Sequence, residues 1–500
     1  MNNLFKIVKE SGINFVGSVI GMVLNYVLLI IITRFLAPEE YGTFVLAQSI
    51  INVSLIFVLL GMHKALDRFI PFYKTTGELG KVKTLINNVL KITLSLSFII
   101  GIIFFLSSDF IANYIFKKPN LSIILKIMIL SIPLLTFMQI ISFTFVGLKE
   151  LRYRIYIQQF AQSLLKIILG LIIFVFGYRL IGWTCMYIIS LFGASFMAYY
   201  FLKKKILPFF SKIKKAPLPF KKIISYSWPL SINSIILLFL GQIDFLFLGY
   251  YRSSSEVGIY RIYIYLVTIL ALVLQSFAHI YKPVISELIA EKNIKEIKET
   301  YKRVSKWIFI INGLGLLTLL IFGSNIVRIF FTKSYLFAPT ALYILAAGRF
   351  LNSSIGPEGM TLEGFGNTKL LMLNSLIMLG TNVGLDYFLI PRYGIVGASI
   401  ATSSSITIGG LAGLIEIYVL YRMQPFTLKH IKYAGIAIFS GILIYFLSYK
   451  LNELNIVRLI GLIGLLTIIY VIGVYYSQSL DSLDYKVFGK IKAKIINFKD

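Results

Sequence analysis

Residues 180–202, LIGWTCMYIISLFGASFMAYYFL, carry no charge and run directly into residues 203–222, KKKILPFFSKIKKAPLPFKK. The first stretch has the length, about 20 residues, at which a helix crosses the hydrocarbon core of a bilayer. The second is a lysine cluster of the kind that positive-inside sorting retains on the cytoplasmic side. Working outward from this junction, the same alternation recurs along the chain. Apolar spans are expected at 13–35, 41–62, 89–108, 123–147, 155–176, 180–202, 223–249, 257–280, 305–330, 336–357, 369–390, 394–420, 430–449 and 456–476. Segments of this kind must satisfy their backbone polar groups internally, so they are read as helices. The expected fold class is an all-α polytopic membrane protein of about fourteen spans.

Composition agrees. Across 500 residues the chain is 58% hydrophobic and only 14% charged, more apolar surface than a soluble core of that size can hide. A net charge of +28 would point to nucleic acid in a soluble protein, but here the cations sit in alternate loops and no nucleic-acid partner is expected. One set of loops holds Lys6 and Lys9, Lys64 to Lys83, Lys149 to Arg154, the cluster at 203–222, Lys282 to Arg303, Arg422 to Lys432, and Lys486 to Lys499. The other set holds few, such as Lys117, Lys118, Arg179, Arg252, Lys333 and Arg392. Both termini are therefore expected in the cytoplasm of a cell-membrane, multi-pass protein. The first span exceeds a signal-peptide apolar region and is expected to be retained. Cys185 is the single cysteine, and His63, His279 and His430 lie far apart, so disulfide and zinc readings drop out.

Pro208, Pro217 and Pro219 mark 203–222 as a linker between halves. Glu40-Tyr41-Gly42 at the start of the second span corresponds to Glu256-Val257-Gly258 at the start of the eighth, about 216 residues later. Gly182 and Gly397 open the sixth and twelfth spans at nearly the same offset, after Gly177-Tyr178-Arg179 and Pro391-Arg392-Tyr393. The simplest organisation is a six-helix bundle at 1–202, the linker at 203–222, a second six-helix bundle at 223–420, two added helices within 421–476, and a basic tail at 477–500. Halves with an even number of spans share one topology and are related by an axis along the membrane normal, enclosing a cavity between them.

Several stretches resemble one family. They are Thr33 to Gly42 (TRFLAPEEYG), Trp228-Pro229 with Asp244, Val257-Gly258-Ile259-Tyr260, Glu363 to Thr368 (EGFGNT), Asn382, Asp386, and Leu389 to Thr402 (LIPRYGIVGASIAT). In this order and spacing they resemble the polysaccharide-exporter branch, including O-antigen, oligosaccharide and lipid II flippases, of the multidrug/oligosaccharidyl-lipid/polysaccharide (MOP) flippase superfamily. The resemblance covers nearly the whole chain. It implies a non-enzymatic flippase that turns a lipid-linked oligosaccharide from the cytoplasmic to the outer leaflet. Its expected partners are that lipid, the surrounding membrane lipids, and glycan polymerase or transferase machinery.

Carrying a phosphate through hydrocarbon requires polar, preferably cationic, groups in place of its water. Lys166 and Arg349 lie near mid-span, while Arg34, Arg68, Lys91, Lys126, Arg261 and Arg328 lie near span ends, where long cations also snorkel to the interface. Lys166 and Arg349 could instead pair with Glu416 or Asp386. Arg34, Arg68, Lys166, Arg261 and Arg349 are the candidate substrate-binding set, and the resemblance supports Arg68, because the family's second span commonly ends in a basic residue facing the cavity. Lipid II flippases carry arginine well inside the first span. This chain has only Asn25 before Arg34, which argues against lipid II as cargo.

A second set is acidic and amidic. Asn382 and Asp386 are four apart on one helix face, Asp244 lies in the seventh span and Thr402 in the twelfth. These hard oxygen donors suit an alkali cation or a proton, or else form a packing cluster that neutralises Arg392 or Arg349. Lipid II flippases place a sodium site with this pattern, and the resemblance adds the backbone carbonyl of Ala398. Sodium or proton coupling is thus expected, with no other cofactor. Gly359 to Gly366 lacks the Gly-Lys-Ser/Thr ending of a nucleotide loop and is expected to be a tight helix connection. Residues 287–306 alternate Glu and Lys at helical spacing and are expected to form a surface helix. A multidrug or organic-cation antiporter of the same superfamily is the first rival reading, disfavoured by the mid-span cations. A membrane polymerase or ligase acting on lipid-linked sugars is the second, disfavoured by short outer loops without paired catalytic groups.

Overall fold

In the computed structural model the described residues are 2–211, 213–218, 220–450 and 454–477, with backbone alone described at 2–16, 18, 174, 209, 220–231 and 279–280. The basic tail after Ser477 and the side chains of Trp228, Pro229 and His279 lie outside this description. Every regular element among the described residues is helical. The principal helices are α1 Asn2–Phe35, α2 Pro38–Leu59, α3 Met62–Thr75, α4 Leu79–Phe110, α5 Ser131–Gly147, α6 Gln162–Val175, α7 Leu180–Phe201 and α8 Phe220–Tyr251. They continue as α9 Ser254–Ala290, α10 Ile294–Ile326, α11 Thr340–Ser354, α12 Glu358–Gly364, α13 Thr368–Tyr393, α14 Ile395–Tyr421, α15 Lys429–Tyr449 and α16 Ile456–Tyr476.

Twelve helical segments among the described residues are long and apolar enough to cross a membrane. The two other expected spans, 13–35 and 336–357, correspond to an apolar helix over Val19–Phe35 and to α11, which has 15 residues. The surface helix expected at 287–306 is instead divided between α9 and α10, with a break where Lys292 takes φ 56° and Asn293 caps Glu296 N–H. The connection at Gly359 to Gly366 is the short helix α12, as the missing nucleotide-loop signature led us to expect.

The described helices fall into two compact units. One comprises Met1–Ile264, Ser334–Ala341 and Lys369–Ser405, and the other Tyr265–Lys333, Leu342–Thr368 and Ile406–Asp500.

In the first unit α2 is the most enclosed helix, with Thr43 to Ala47 all buried. It starts where Pro38 occupies the first turn and the Glu40 carboxylate accepts the Ala37 N–H at 3.0 Å, so an N-terminal amide and the helix dipole are both satisfied. It ends at Leu60 and Gly61, both at positive φ, which redirect the chain into α3. The two corresponding glycines of the repeat meet here. A Cβ on Gly42 would lie 2.8 Å from Gly258 N and collide with Ser254 O. A Cβ on Gly258 would lie 2.9 Å from Gly42 N and collide with Pro38 O. The helix starts of α2 and α9 therefore cross at backbone contact, a reciprocal arrangement open only to glycine at both positions.

Other repeat-related contacts are also equivalent. Glu40 at the start of α2 pairs with Arg179 just before α7, at 3.1 Å. Glu256 at the start of α9 accepts the Ile395 N–H that opens α14, at 3.1 Å. Glu40 and Glu256, about 216 positions apart, thus each tie a helix start to the residue 139 positions further on, one through an ion pair and the other through a backbone amide.

In the second unit the α15–α16 pair packs against α10. Ile310, Tyr433, Tyr470 and Val474 form one buried cluster, and Phe322, Ile444, Leu459, Leu462 and Leu466 another. The Tyr470 hydroxyl donates to Ile310 O at 3.0 Å, so an aromatic side chain in the apolar cluster keeps its polar end satisfied.

Candidate functional site

Four helices of the first unit bring the acidic set together. The backbone geometry explains the sequence spacing: Asn382 and Asp386 lie one turn apart on α13, and Ala398 and Thr402 one turn apart on α14. Asp244 comes from α8 and Tyr260 from α9. Asp244, Tyr260, Asn382, Asp386 and Ala398 are all buried, with Asp386 and Tyr260 at 0% exposure.

The two carboxylates have opposite surroundings. Asp244 Oδ2 accepts the Tyr260 hydroxyl at 2.7 Å and the Thr402 hydroxyl, while Oδ1 accepts Asn382 Nδ2 at 3.0 Å. Three donors therefore satisfy its charge. Neither oxygen of Asp386 has a hydrogen-bond partner, and Asn382 Oδ1 has none either. The charge acting on Asp386 is the like charge of Asp244. A buried ionised carboxylate without a donor is costly, and a second carboxylate beside it adds to the cost. Protonation of Asp386 or a small cation held by Asp386 and Asn382 Oδ1 removes the conflict. Neither arginine considered from the sequence relieves it, because the Asp386 oxygens accept no hydrogen bond. The donor set fits a hard alkali cation: Asn382 and Asp386, one turn apart on α13, leave three buried amide and carboxylate oxygens orphaned.

Tyr260 was quoted from the sequence as part of a family motif but given no role. Its hydroxyl is 2.9 Å from Thr402 Oγ1 and 3.5 Å from Ala398 O, against two of the groups expected to bind the cation. No periodicity could have assigned it, since the partner residues lie on two other helices, α8 and α14. Tyr260→Phe removes one donor from Asp244. Cation-free stability is expected to fall by about 1–3 kcal/mol, the cost of an unsatisfied buried charge, and the stabilisation gained from a bound cation to grow. Thermal unfolding with and without sodium measures both, and an unchanged sodium-induced shift in Tm would count against a shared site.

The cations separate into groups. In the first unit Lys166 of α6 places its ammonium 4.9 Å from the centroid of the Tyr187 ring, and Arg261 of α9 places its guanidinium 5.2 Å from that of Phe245. Arg261 lies within electrostatic range of Lys166. Two cations near each other on membrane-crossing helices, flanked by aromatic faces, form a setting for a doubly charged anion and an attached apolar or sugar group. Arg34, Arg68, Lys91 and Arg328 are exposed, which both snorkelling to the interface and facing an open cavity produce. Lys126 pairs with Asp109 at 2.8 Å. Arg349 is half-buried on α11 in the second unit.

Comparison with known proteins follows the same lines. The chain is 24% identical over 465 residues to an uncharacterized membrane protein of Methanocaldococcus jannaschii, covering 89% of this chain and 90% of that one. It is 24% identical to the capsular polysaccharide biosynthesis protein CapF of Staphylococcus aureus, covering 83% and 99%. Over 38% of its length it is 24% identical to the probable low-salt glycan biosynthesis flippase Agl15 of Haloferax volcanii, covering 40% of that protein. Its fold matches that of the lipid II flippase MurJ in an inward closed conformation with a TM-score of 0.70 at 17% identity, covering 93% and 98% of the two chains. It also matches an inward-facing multidrug-resistance transporter of the MATE family with a TM-score of 0.70 at 15% identity, covering 80% and 94%. Residues 229–388 match the MatE family. Residues 7–289, more than half of the sequence, match the polysaccharide biosynthesis protein family, and this chain belongs to that family.

Proposed function

We propose that this protein is a flippase of the plasma membrane that carries a lipid-linked oligosaccharide, on a polyprenyl phosphate or diphosphate, from the cytoplasmic to the outer leaflet. Its product then feeds cell-surface polysaccharide or glycan synthesis. The observation that carries the reading is the Lys166–Arg261 pair with its aromatic neighbours. Family membership and the flippase relatives support it. The phosphate enters from the side of the cation-rich loops and is held by Lys166 and Arg261, with Arg34, Arg68 and Arg349 as further contacts along its way. The lipid tail stays in the bilayer, and both termini face the cytoplasm.

Alternating access runs by rocking of residues 1–202 against 223–420. The Gly42–Gly258 crossing lies by the cation-poor loops, so its closure fits a state open toward the cytoplasm. Sodium or a proton at Asp386, with Asp244, Asn382, Ala398 and Thr402, resets the cycle; one elementary charge crossing at 100 mV contributes about 2.3 kcal/mol.

The test is translocation of a fluorescent lipid-linked oligosaccharide into proteoliposomes. The double variant Lys166→Ala/Arg261→Ala is expected to lower the rate by roughly 100-fold, since each charge-assisted contact is worth about 1.5–3 kcal/mol. Undiminished transport by the double variant would remove the cation pair from the mechanism. Absence of lipid transport by the wild type, with export of organic cations instead, would replace the reading by that of an antiporter.

A further inference from the structure

Apart from both clusters, two cations of the first unit share one aromatic ring beside the cation-rich loops. Lys64 of α3 holds its ammonium 5.7 Å from the centroid of the Phe143 ring on α5. Arg154, in the helical turn Leu151–Ile155, holds its guanidinium 5.4 Å from the same centroid. An aromatic face positions a cation without neutralising it and without occupying its N–H donors. The Lys64 ammonium makes no hydrogen bond or ion pair with the described residues. The Arg154 guanidinium makes one hydrogen bond among them, from Nε to the neutral Gln158 Oε1 at 3.3 Å. The acids nearest in sequence leave this balance in place. Asp67 lies within electrostatic range of Arg154 but forms no ion pair with it, and Glu150 is paired with Arg152 at 3.9 Å.

His63, 8% exposed, packs against the same ring with centroids 4.8 Å apart. Its buried Nδ1 has no partner, and the ring makes no other hydrogen bond among the described residues. Burial, reinforced by the Lys64 charge, pushes the imidazole down to about 4, so the ring is neutral. Whichever nitrogen carries the proton, one donor and one acceptor are unused. Two cations that no acid neutralises and a buried polar group without a partner, gathered around one ring, suit a phosphate or diphosphate ester.

We infer that Lys64, Arg154 and His63 form an entry subsite for the phosphate or diphosphate of the lipid-linked substrate, occupied before the Lys166–Arg261 pair, a step that rests on the flippase reading proposed above. Arg154 and Lys166 lie on one helical segment, Leu151–Ile173, and Lys166 stands about 18 Å further along its axis. An anion released from the first position therefore meets a second cationic position deeper in the same span.

The experiment is calorimetric titration of the full-length protein, in nanodiscs of phosphatidylcholine, with geranyl diphosphate or with inorganic pyrophosphate. Wild type is expected to bind geranyl diphosphate more tightly than pyrophosphate, with affinity falling as salt rises. K64Q/R154Q is expected to weaken geranyl diphosphate binding at least about 10-fold, the scale of two charge-assisted contacts. D67N is expected to strengthen it, since it removes a carboxylate within range of Arg154, and misfolding could not produce that sign. Equal affinity in wild type and K64Q/R154Q, with D67N unchanged, overturns the subsite. Pyrophosphate bound as tightly as geranyl diphosphate overturns the assignment to a prenyl carrier, leaving a site for a free anion. Binding is read without transport, so failure of the subsite and failure of the flippase reading in the translocation assay are separate results.

Discussion

Asp386→Asn is expected to abolish the dependence of transport on a sodium or proton gradient, lowering gradient-driven flux by roughly 100-fold or more, the scale of about 3 kcal/mol. Asp386 is at 0% exposure and neither of its oxygens has a donor, so its charge is what demands a proton or a cation. The amide is nearly the same size and needs neither. The variant should therefore fold, and its stability should no longer respond to sodium. Asp244→Asn has a different expected outcome. Three donors point at Asp244, and an amide nitrogen in place of one oxygen leaves at least one donor unsatisfied, which costs about 1–3 kcal/mol. The measurement is sodium binding by calorimetry, alongside flux under sodium and proton gradients imposed separately. Sodium binding retained at full strength by Asp386→Asn would remove this residue from the ion site. Loss of proton-driven flux alone would make the proton the coupling ion.

Gly42→Ala and Gly258→Ala are each expected to prevent closure between the starts of α2 and α9. The added Cβ meets backbone atoms from the opposite helix, and no rotamer change moves a backbone carbonyl. Overpacking of this kind costs about 1–3 kcal/mol. At about 2 kcal/mol the closed population falls roughly 30-fold. Spin labels at Glu39→Cys and Ser253→Cys in a Cys185→Ser background provide the readout, since both labelled positions are exposed. The distance distribution should shift to longer values in either alanine variant, and transport should slow with it. Unchanged distances with normal transport would show that the crossing is no gate. The reciprocity adds a further check. Because each Cβ strikes the other glycine's neighbourhood, the double variant should cost less than the sum of the single ones.

Much of this was legible along the chain. The apolar spans, the basic linker and the Glu–x–Gly register at an offset of about 216 residues can be read locally, because a bilayer imposes length and polarity on each segment independently of its neighbours. The spacing of Asn382 and Asp386, and of Ala398 and Thr402, fixed which residues share a helix face. Spacing cannot choose the facing helix, and there the tertiary structure decided. It placed the Tyr260 hydroxyl on Asp244 and left Asp386 without a donor. It set Lys166 of α6 over the Tyr187 ring and Arg261 of α9 over the Phe245 ring, and it left Arg34 and Arg68 exposed. A long cation near a span end has the same local signature whether it snorkels or turns inward. The difference lies in whether a neighbouring helix closes over it, and that is set by packing between segments far apart in the chain.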